Sequence, residues 1–311
     1  MEFRELKYIC TVAEYGNITK AAQALFVSQP SLSHFIARTE EKLGVQLFDR
    51  KTTPLRLTYA GELYVQKAWE IIRTGELLTK EFRDISQNLK GRLRVGFPKE
   101  RASYMLPLIL PQFKAVYPGI KISILENNGE RLLDAVERGL VDFMILPVQK
   151  NKLGMDFTSV VLYEEELFLT VKSGGMPSEC LAKGCSDTVD LHSLSGKPFI
   201  LLHKGHAARA QVDKLFRSYQ IKPDIVMETE SNTTAYRLSA AGIGAAIVPA
   251  LTINLSNPGG ATDIYHLNAE KPVTWQVCAT YKKDAYIGVV EKKFLDIASK
   301  IMCTISTGTI S

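Results

Sequence analysis

The sequence predicts an all-α-rich helix-turn-helix unit, a long joining helix, and a larger α/β unit of two subdomains. Three observations carry this reading. Residues 18–43 hold two short helical segments around a tight turn. Residues 59–89 form one helical stretch without proline, and from Gly91 onward apolar strand-type runs alternate with amphipathic helices. A chain of 311 residues accommodates two or three domains, and 46% hydrophobic with 23% charged residues suits well-cored globular ones.

In the first segment, ITKAAQALFVSQPSLSHFIARTEEKL, Thr19 is the expected cap of a helix carrying Ala21 and Ala22, whose small side chains let a second helix cross closely. Phe26, Val27 and Ser28 form the turn. Ser28 caps the next helix and Pro30 sits in its first turn, where a missing N–H costs nothing. Leu32, Phe35, Ile36 and Leu43 are expected inside, and Gln29, Ser31, Ser33, His34 and Arg38 outside. That outer set suits base and phosphate contact: Gln pairs with adenine edges, short hydroxyls permit close approach, and Arg grips phosphate or guanine. An ordinary surface helix is also polar outside. The two short helices, the tight turn and the proline-started second helix together favour a DNA-reading segment. Charge adds little, because residues 1–60 carry eight Lys/Arg against six acids.

In the joining helix, Tyr64, Ala68, Ile71, Gly75, Leu78, Phe82, Ile85 and Leu89 repeat at alternating spacings of four and three. Such a seam needs a partner, either its own domain or a second copy of itself. Its length and the charged remaining faces favour dimerisation.

The α/β unit is expected over residues 91–305, after a DNA-binding domain at 1–58 and a linker helix at 59–89. Strands are expected at 92–97, 120–126, 141–146, 162–171, 198–202, 224–230, 245–249 and 273–281. Helices are expected around 103–117, 129–138, 206–219, 232–241 and 286–302, on both faces of parallel sheets. Two tandem series give subdomain I, about 91–161 with 269–305, and subdomain II, about 162–268. Ligands of open α/β sheets sit beyond the carboxyl ends of strands, near helix N-termini. That rule selects the loop Pro98-Lys99-Glu100-Arg101-Ala102-Ser103, with Pro98, Lys99, Arg101 and Ser103 as its candidates, then Asn128 and Gly129, and from the other subdomain Leu202, His203, Ser231 and Asn232. Lys99 and Arg101 either grip an anionic ligand such as a carboxylate or phosphate, or point to solvent while backbone amides bind it.

No secretory leader and no apolar run of about eighteen residues is visible, so a cytoplasmic location without a membrane is expected. Cys10, Cys180, Cys185, Cys278 and Cys303 are scattered, which reads as free thiols. Cys180 and Cys185 with His203 and His206 leave a redox- or metal-responsive variant open, at loose spacing. GIGAA at 242–246 lies between a helix and a following strand, the reverse of a dinucleotide fingerprint, and no other catalytic motif appears. An enzyme is therefore not expected. A solute-binding protein is the remaining rival, and the N-terminal segment argues against it.

Residues 1–60 resemble the N-terminal domain of LysR-type transcriptional regulators. The matching positions include Phe3, Leu6, Gly16-Asn17-Ile18-Thr19, Ala21-Ala22, Leu25, Ser28-Gln29-Pro30-Ser31-Leu32-Ser33, Ile36, Glu40, Leu43-Gly44, Leu47-Phe48, Arg50, Leu57-Thr58 and Gly61. The likeness continues through RLRVG, YPG at 117–119, GLVD at 139–142 and AGIGAAIVP at 241–249. The resemblance implies a winged helix-turn-helix with Gln29, Pro30, Ser33 and His34 toward the major groove, and Arg50, Lys51 and Arg56 in the wing. It departs at His34, where the family commonly has Arg, and at Thr53, where a second basic residue is frequent. It further implies a periplasmic-binding-protein-like effector domain, a homodimer or homotetramer on promoter DNA, a small-molecule effector between the subdomains, contact with RNA polymerase, and no cofactor.

Overall fold

The computed structural model describes residues 3–50, 52, 54–85, 91–147, 154–267 and 271–306. Lys51, Thr53 and Leu89 lie outside them, as does the side chain of Ile85. The chain divides into two compact units: residues 1–88 with 138–140, and the remainder from 89 onward.

In the first unit, α1 (Phe3–Tyr15), α2 (Ile18–Ala24) and α3 (Gln29–Leu43) precede β1 (Phe48–Asp49), β2 (Arg56–Leu57) and the long α4 (Tyr59–Ile85). Leu6, Ile9, Val12, Ala21, Leu32 and Ile36 form its core with Leu47 and Phe48. Antiparallel pairing of Phe48 with Leu57 and of Asp49 with Arg56 makes the wing. Thr58 joins that wing to α4: its N–H donates to Leu47 O, its hydroxyl donates to Gln46 O, and its Oγ1 accepts from Gly61 N–H.

The seam of α4 is divided. Ala68 is buried and Tyr64 half-buried in the unit's own core, and Gly75 lies under the Phe3 ring of α1, so these three serve intramolecular packing. Ile71, Leu78 and Phe82 are exposed. The expected continuous dimer seam thus loses its first turns to α1, because α4 is itself part of the small unit's core. Leu43, expected inside, is exposed in the last turn of α3, where Gly44 takes a left-handed φ of 69° and ends the helix.

In the second unit, among the described residues, one sheet runs β4 (Ile120–Glu126), β3 (Gly91–Phe97), β5 (Phe143–Pro147), β11 (Thr274–Lys282), β6 (Phe157–Lys172), β9 (Ala245–Pro249), β7 (Pro198–Leu202) and β8 (Asp224–Thr229). A further strand, β10 (Thr262–His266), pairs with β6. Strands β3, β4 and β5 are mutually parallel, as are β7, β8 and β9. The wholly parallel expectation fails at β6 and β11, which run antiparallel to their neighbours. Along β6 the partner changes: Phe157–Glu166 pairs with β11 and Leu167–Thr170 with β9, so the two halves meet at Glu166/Leu167. The change falls a few residues beyond the expected boundary at 161/162.

The helices are α5 (Lys99–Val116), α6 (Gly129–Glu137), α7 (Ala207–Ser218), α8 (Asn232–Ala240), α9 (Ala250–Leu255) and α10 (Val289–Ser306). Helix α5 begins directly after Pro98, several residues before its expected start, so residues 99–103 are its first turn and not a loop. An apolar core continues through both halves, from Leu93, Phe113 and Phe294 to Leu169, Phe199 and Ile247. No helix among the described residues is long and apolar enough to cross a membrane.

A Cβ on Gly61 would collide with the backbone carbonyl of Leu47, whereas the nearest atoms to one on Gly75 belong to the movable Phe3 ring. Gly61→Ala is therefore expected to destabilise the first unit by about 1–3 kcal/mol through overpacking. Gly75→Ala, which gains about 1 kcal/mol of helix propensity, should remain near the parent. Thermal melts of the two variants check this; equal losses would contradict the packing described.

Candidate functional site

The first candidate surface is α3. Ser28 has extended backbone, and its Oγ accepts from Ser31 N–H at 3.3 Å and lies 2.7 Å from Ser31 Oγ, which caps the helix. Ser31 is thereby committed to its own cap. Gln29, Pro30, His34 and Arg38 are exposed and Ser33 is half-buried, while Leu32 and Ile36 are buried. Phe35 turns edge-on to Tyr8 at 5.3 Å. The cap of α2 is Asn17, whose Oδ1 accepts from Lys20 N–H at 3.0 Å. Thr19, expected as that cap, is an exposed residue of the first turn, because the helix starts at Ile18.

Glu40, buried on the inner face of α3, sets the geometry of the wing. One oxygen accepts from Leu47 N–H at 2.8 Å and Phe48 N–H at 3.1 Å, and the other pairs with Arg50 at 2.9 Å. Sequence reading named Glu40 only as part of a resemblance. Its signal, an acid on an otherwise apolar face, cannot identify partners seven and eight residues away. Arg50 is half exposed and already shares its charge with Glu40, so it both anchors the wing and faces solvent. Arg56 on β2 is exposed, with its backbone N–H held by Thr52 Oγ1.

The second candidate site is the junction between the two halves of the α/β unit. Arg101, considered a ligand-gripping cation, is buried here. It donates to Tyr163 and to Glu165 Oε2, the latter at 3.1 Å. Glu165 is 1% exposed and also accepts from Trp275 Nε1 at 2.8 Å and from Leu251 N–H at 2.9 Å. Burial opposes the charge of Arg101, but Tyr163 and Glu165 more than offset it and keep the group protonated. Arg101 is thus a structural ion-pair partner, and Lys99 remains exposed on the same turn.

Ser103 is exposed and donates to Glu100 O within its own helix. Pro98 is half-buried at the start of α5. Asn128 Oδ1 accepts from Arg131 N–H at 3.0 Å, so Asn128 caps α6 and Gly129 is its first residue. Leu202 is buried, with its carbonyl accepting from Arg209 at 2.6 Å, and His203 next to it is exposed. Ser231 caps α8, accepting from Thr234 N–H at 3.1 Å.

Glu100 lies in the expected wall loop, but the sequence gives it no role of its own. Its Oε1 accepts from Ser231 Oγ at 3.0 Å and Thr233 N–H at 2.5 Å. Its Oε2 accepts from Asn232 N–H and Asn232 Nδ2, both at 3.0 Å. Burial alone would push this carboxyl up, but the bonds from Thr233 and Asn232 outweigh it and hold it below the usual carboxylate range. Tyr104, one turn on, bonds Thr233 Oγ1 and lies 2.9 Å from Ser256 Oγ. Ser231 and Asn232 are thus brought together with α5, and their donors are occupied by a carboxylate of the same chain. A separate cavity of about 670 Å³ lies between α7 and β8, lined by Leu201, Phe216, Ile221, Pro223 and Ile225.

Cys180 is buried and Cys185 half-buried, both free. Among the described residues no group of three or more His, Cys, Asp or Glu is placed to hold a metal ion. Burial pushes the Cys10 thiol up to about 12, which keeps it protonated and unreactive at neutral pH.

A capped helix-turn-helix with a wing, followed by an α/β unit whose two halves meet along β6, is the architecture of a DNA-binding regulator with a ligand-responsive domain. Comparison with known families agrees. The bacterial regulatory helix-turn-helix protein, lysR family, matches residues 3–62, and the LysR substrate binding domain matches residues 86–301. The chain belongs to the LysR family of transcriptional regulators. It is 31% identical over 303 residues to the HTH-type transcriptional regulator ClcR of Pseudomonas putida, covering 96% of this chain and 98% of that one. It is 28% identical over 255 residues to the dual regulator OxyR of Escherichia coli strain K12, covering 81% and 80% of the two chains. Among solved structures, a full-length OxyR variant from Pseudomonas aeruginosa aligns with a TM-score of 0.74 at 24% identity, over 98% and 96% of the two chains. Full-length CbnR in complex with its target DNA aligns at 0.64 and 24%, over 96% and 99%.

Truncating Glu165 to Ala strands the buried Arg101 charge and is expected to cost about 3–5 kcal/mol. Chemical denaturation of the full chain checks it; a loss under about 1 kcal/mol would place the pair among ordinary surface bridges.

Proposed function

We propose that α3 reads operator bases in the major groove through Gln29, Ser33 and His34, with Arg38 and the wing residues Arg50 and Arg56 on flanking phosphates. The observation that carries this is the exposed polar face of a helix whose N-terminus is fixed by Ser28 and whose wing is fixed by Glu40. A side chain that reads bases must be presented from a rigid element, and this one is. His34 offers a ring nitrogen donor or acceptor where a guanidinium fork is commoner in such regulators, which shifts base preference at that position.

Pairing of two chains along the exposed Ile71, Leu78 and Phe82 of α4 would set two reading heads on a dyad-symmetric site, and further pairing would give a tetramer. A small-molecule effector enters between the two halves of the α/β unit, near Lys99, Asn128, His203 and the start of α8. Its differential affinity for two arrangements of the assembly alters contact with RNA polymerase at the promoter. The protein acts in the cytoplasm as a regulator and carries out no reaction of its own. That ClcR and OxyR are named as regulators supports this reading at the level of the family.

Genome-wide site mapping followed by binding to the strongest fragment at stated salt is the test. Gln29→Ala should weaken the specific site by about 1–3 kcal/mol with little change in non-specific binding. Arg56→Ala should weaken all sequences alike and reduce the salt slope by about one. Sequence-blind binding by the parent protein would refute base readout by α3. Leu78→Asp combined with Phe82→Asp should lower the oligomeric state in light scattering; an unchanged mass would move the dimer contact elsewhere.

A further inference from the structure

Glu100 is the residue for which the sequence offered no role, and its surroundings are those of a bound ligand. It stands in the first turn of α5, on one half of the α/β unit, and reaches the first turn of α8 on the other. There its two oxygens accept from two backbone amides, one hydroxyl and one side-chain amide. The free N–H groups and positive end of a helix favour an anion, and donors this closely grouped satisfy most lone pairs of a carboxylate. Tyr104 extends the bridge through Thr233 and Ser256. Asn232 turns its Nδ2 to Glu100 and leaves Oδ1 buried without a hydrogen-bond partner. The seam between the halves is thus closed by bonds within the chain.

We propose that Glu100 is a built-in latch, a tethered carboxylate seated at the start of α8, which holds the two halves together until an effector releases it. This rests on the reading of the junction as the effector site. A tethered group acts at an effective concentration in about the millimolar range or above. A simple carboxylate at micromolar concentration therefore does not displace it. An effector succeeds by presenting a carboxylate to the same donors while gaining further contacts that Glu100 cannot make, and the unpartnered Asn232 Oδ1 offers one to a ligand N–H or O–H. Glu100 sets a threshold on which anions act, and Arg101, held by Glu165, keeps the adjoining turn of α5 in place when the latch opens.

Hydrogen exchange on the full chain, followed over residues 231–236, reads the latch without DNA or effector. In Glu100→Ala the amides of Asn232 and Thr233 should exchange about tenfold faster or more, while α7 and the first unit are unchanged. Sodium acetate at tens of millimolar, against sodium chloride of equal ionic strength, should restore protection in Glu100→Ala and leave the parent unaffected. Glu100→Gln, similar in shape but uncharged, should fall between the two. Unchanged protection in Glu100→Ala, or an equal response of the parent to acetate, would overturn the latch. Either failure leaves the DNA-reading proposal intact, since that is measured by operator binding.

Discussion

The carboxylate of Glu165 is the interaction on which the α/β unit is organised. It sits near the point where β6 changes partner, almost without solvent, and takes bonds from α5, from β11 and from the first residues of α9. A buried carboxylate has to be surrounded by donors, and here they come from both halves, so neither half can be placed independently of the other. The same demand draws Arg101 inward and takes it out of contention as a ligand cation. On the same turn of α5 Lys99 stays exposed, and Glu100 is the residue directed to α8. One buried ion pair thereby determines which residue of the turn meets the opposite half.

Glu40 has the corresponding place in the first unit. A helix that reads DNA and a wing that grips the backbone must hold a fixed spacing, and a single side chain bonded to Leu47 and Phe48 supplies it. Arg50 is then a member of the fold as well as a surface cation. Its loss would be felt through wing geometry and, on the proposed reading, phosphate contact together, whereas Arg56, exposed on β2, would report the second effect alone.

Much of the architecture was legible because it depends on local signals. The strands at 120–126, 198–202 and 245–249 coincide with their apolar runs, and Ser28 and Ser231 cap the helices that follow them. Other features depend on partners distant in sequence. The antiparallel passage of β6 and β11 cannot be read from strand-type runs alone, since pairing direction leaves no periodic mark. Nor can the packing of Ala68 in the first unit's core and of Gly75 against Phe3 of α1, which shares its heptad spacing with the exposed Leu78 and Phe82. For the junction, Ser231 and Asn232 were placed by the rule for strand ends. Glu100 lay in the loop that the rule selects, but its role went unread, because the rule looks for groups that would welcome an anion, and Glu100 is the anion.

Thr58 fuses the wing to the first turn of α4, with bonds to Gln46, Leu47 and Gly61 that leave no loose joint between them. The helix therefore works as a lever rigidly mounted on the reading head. Its 27 residues span roughly 40 Å at 1.5 Å per residue. A pivot of about 5° about its far end would swing the mounted end by about 3.5 Å, close to the spacing of one base-pair step. With two chains paired along α4 as proposed, small rotations between the helices would be expressed on DNA as whole steps of half-site spacing.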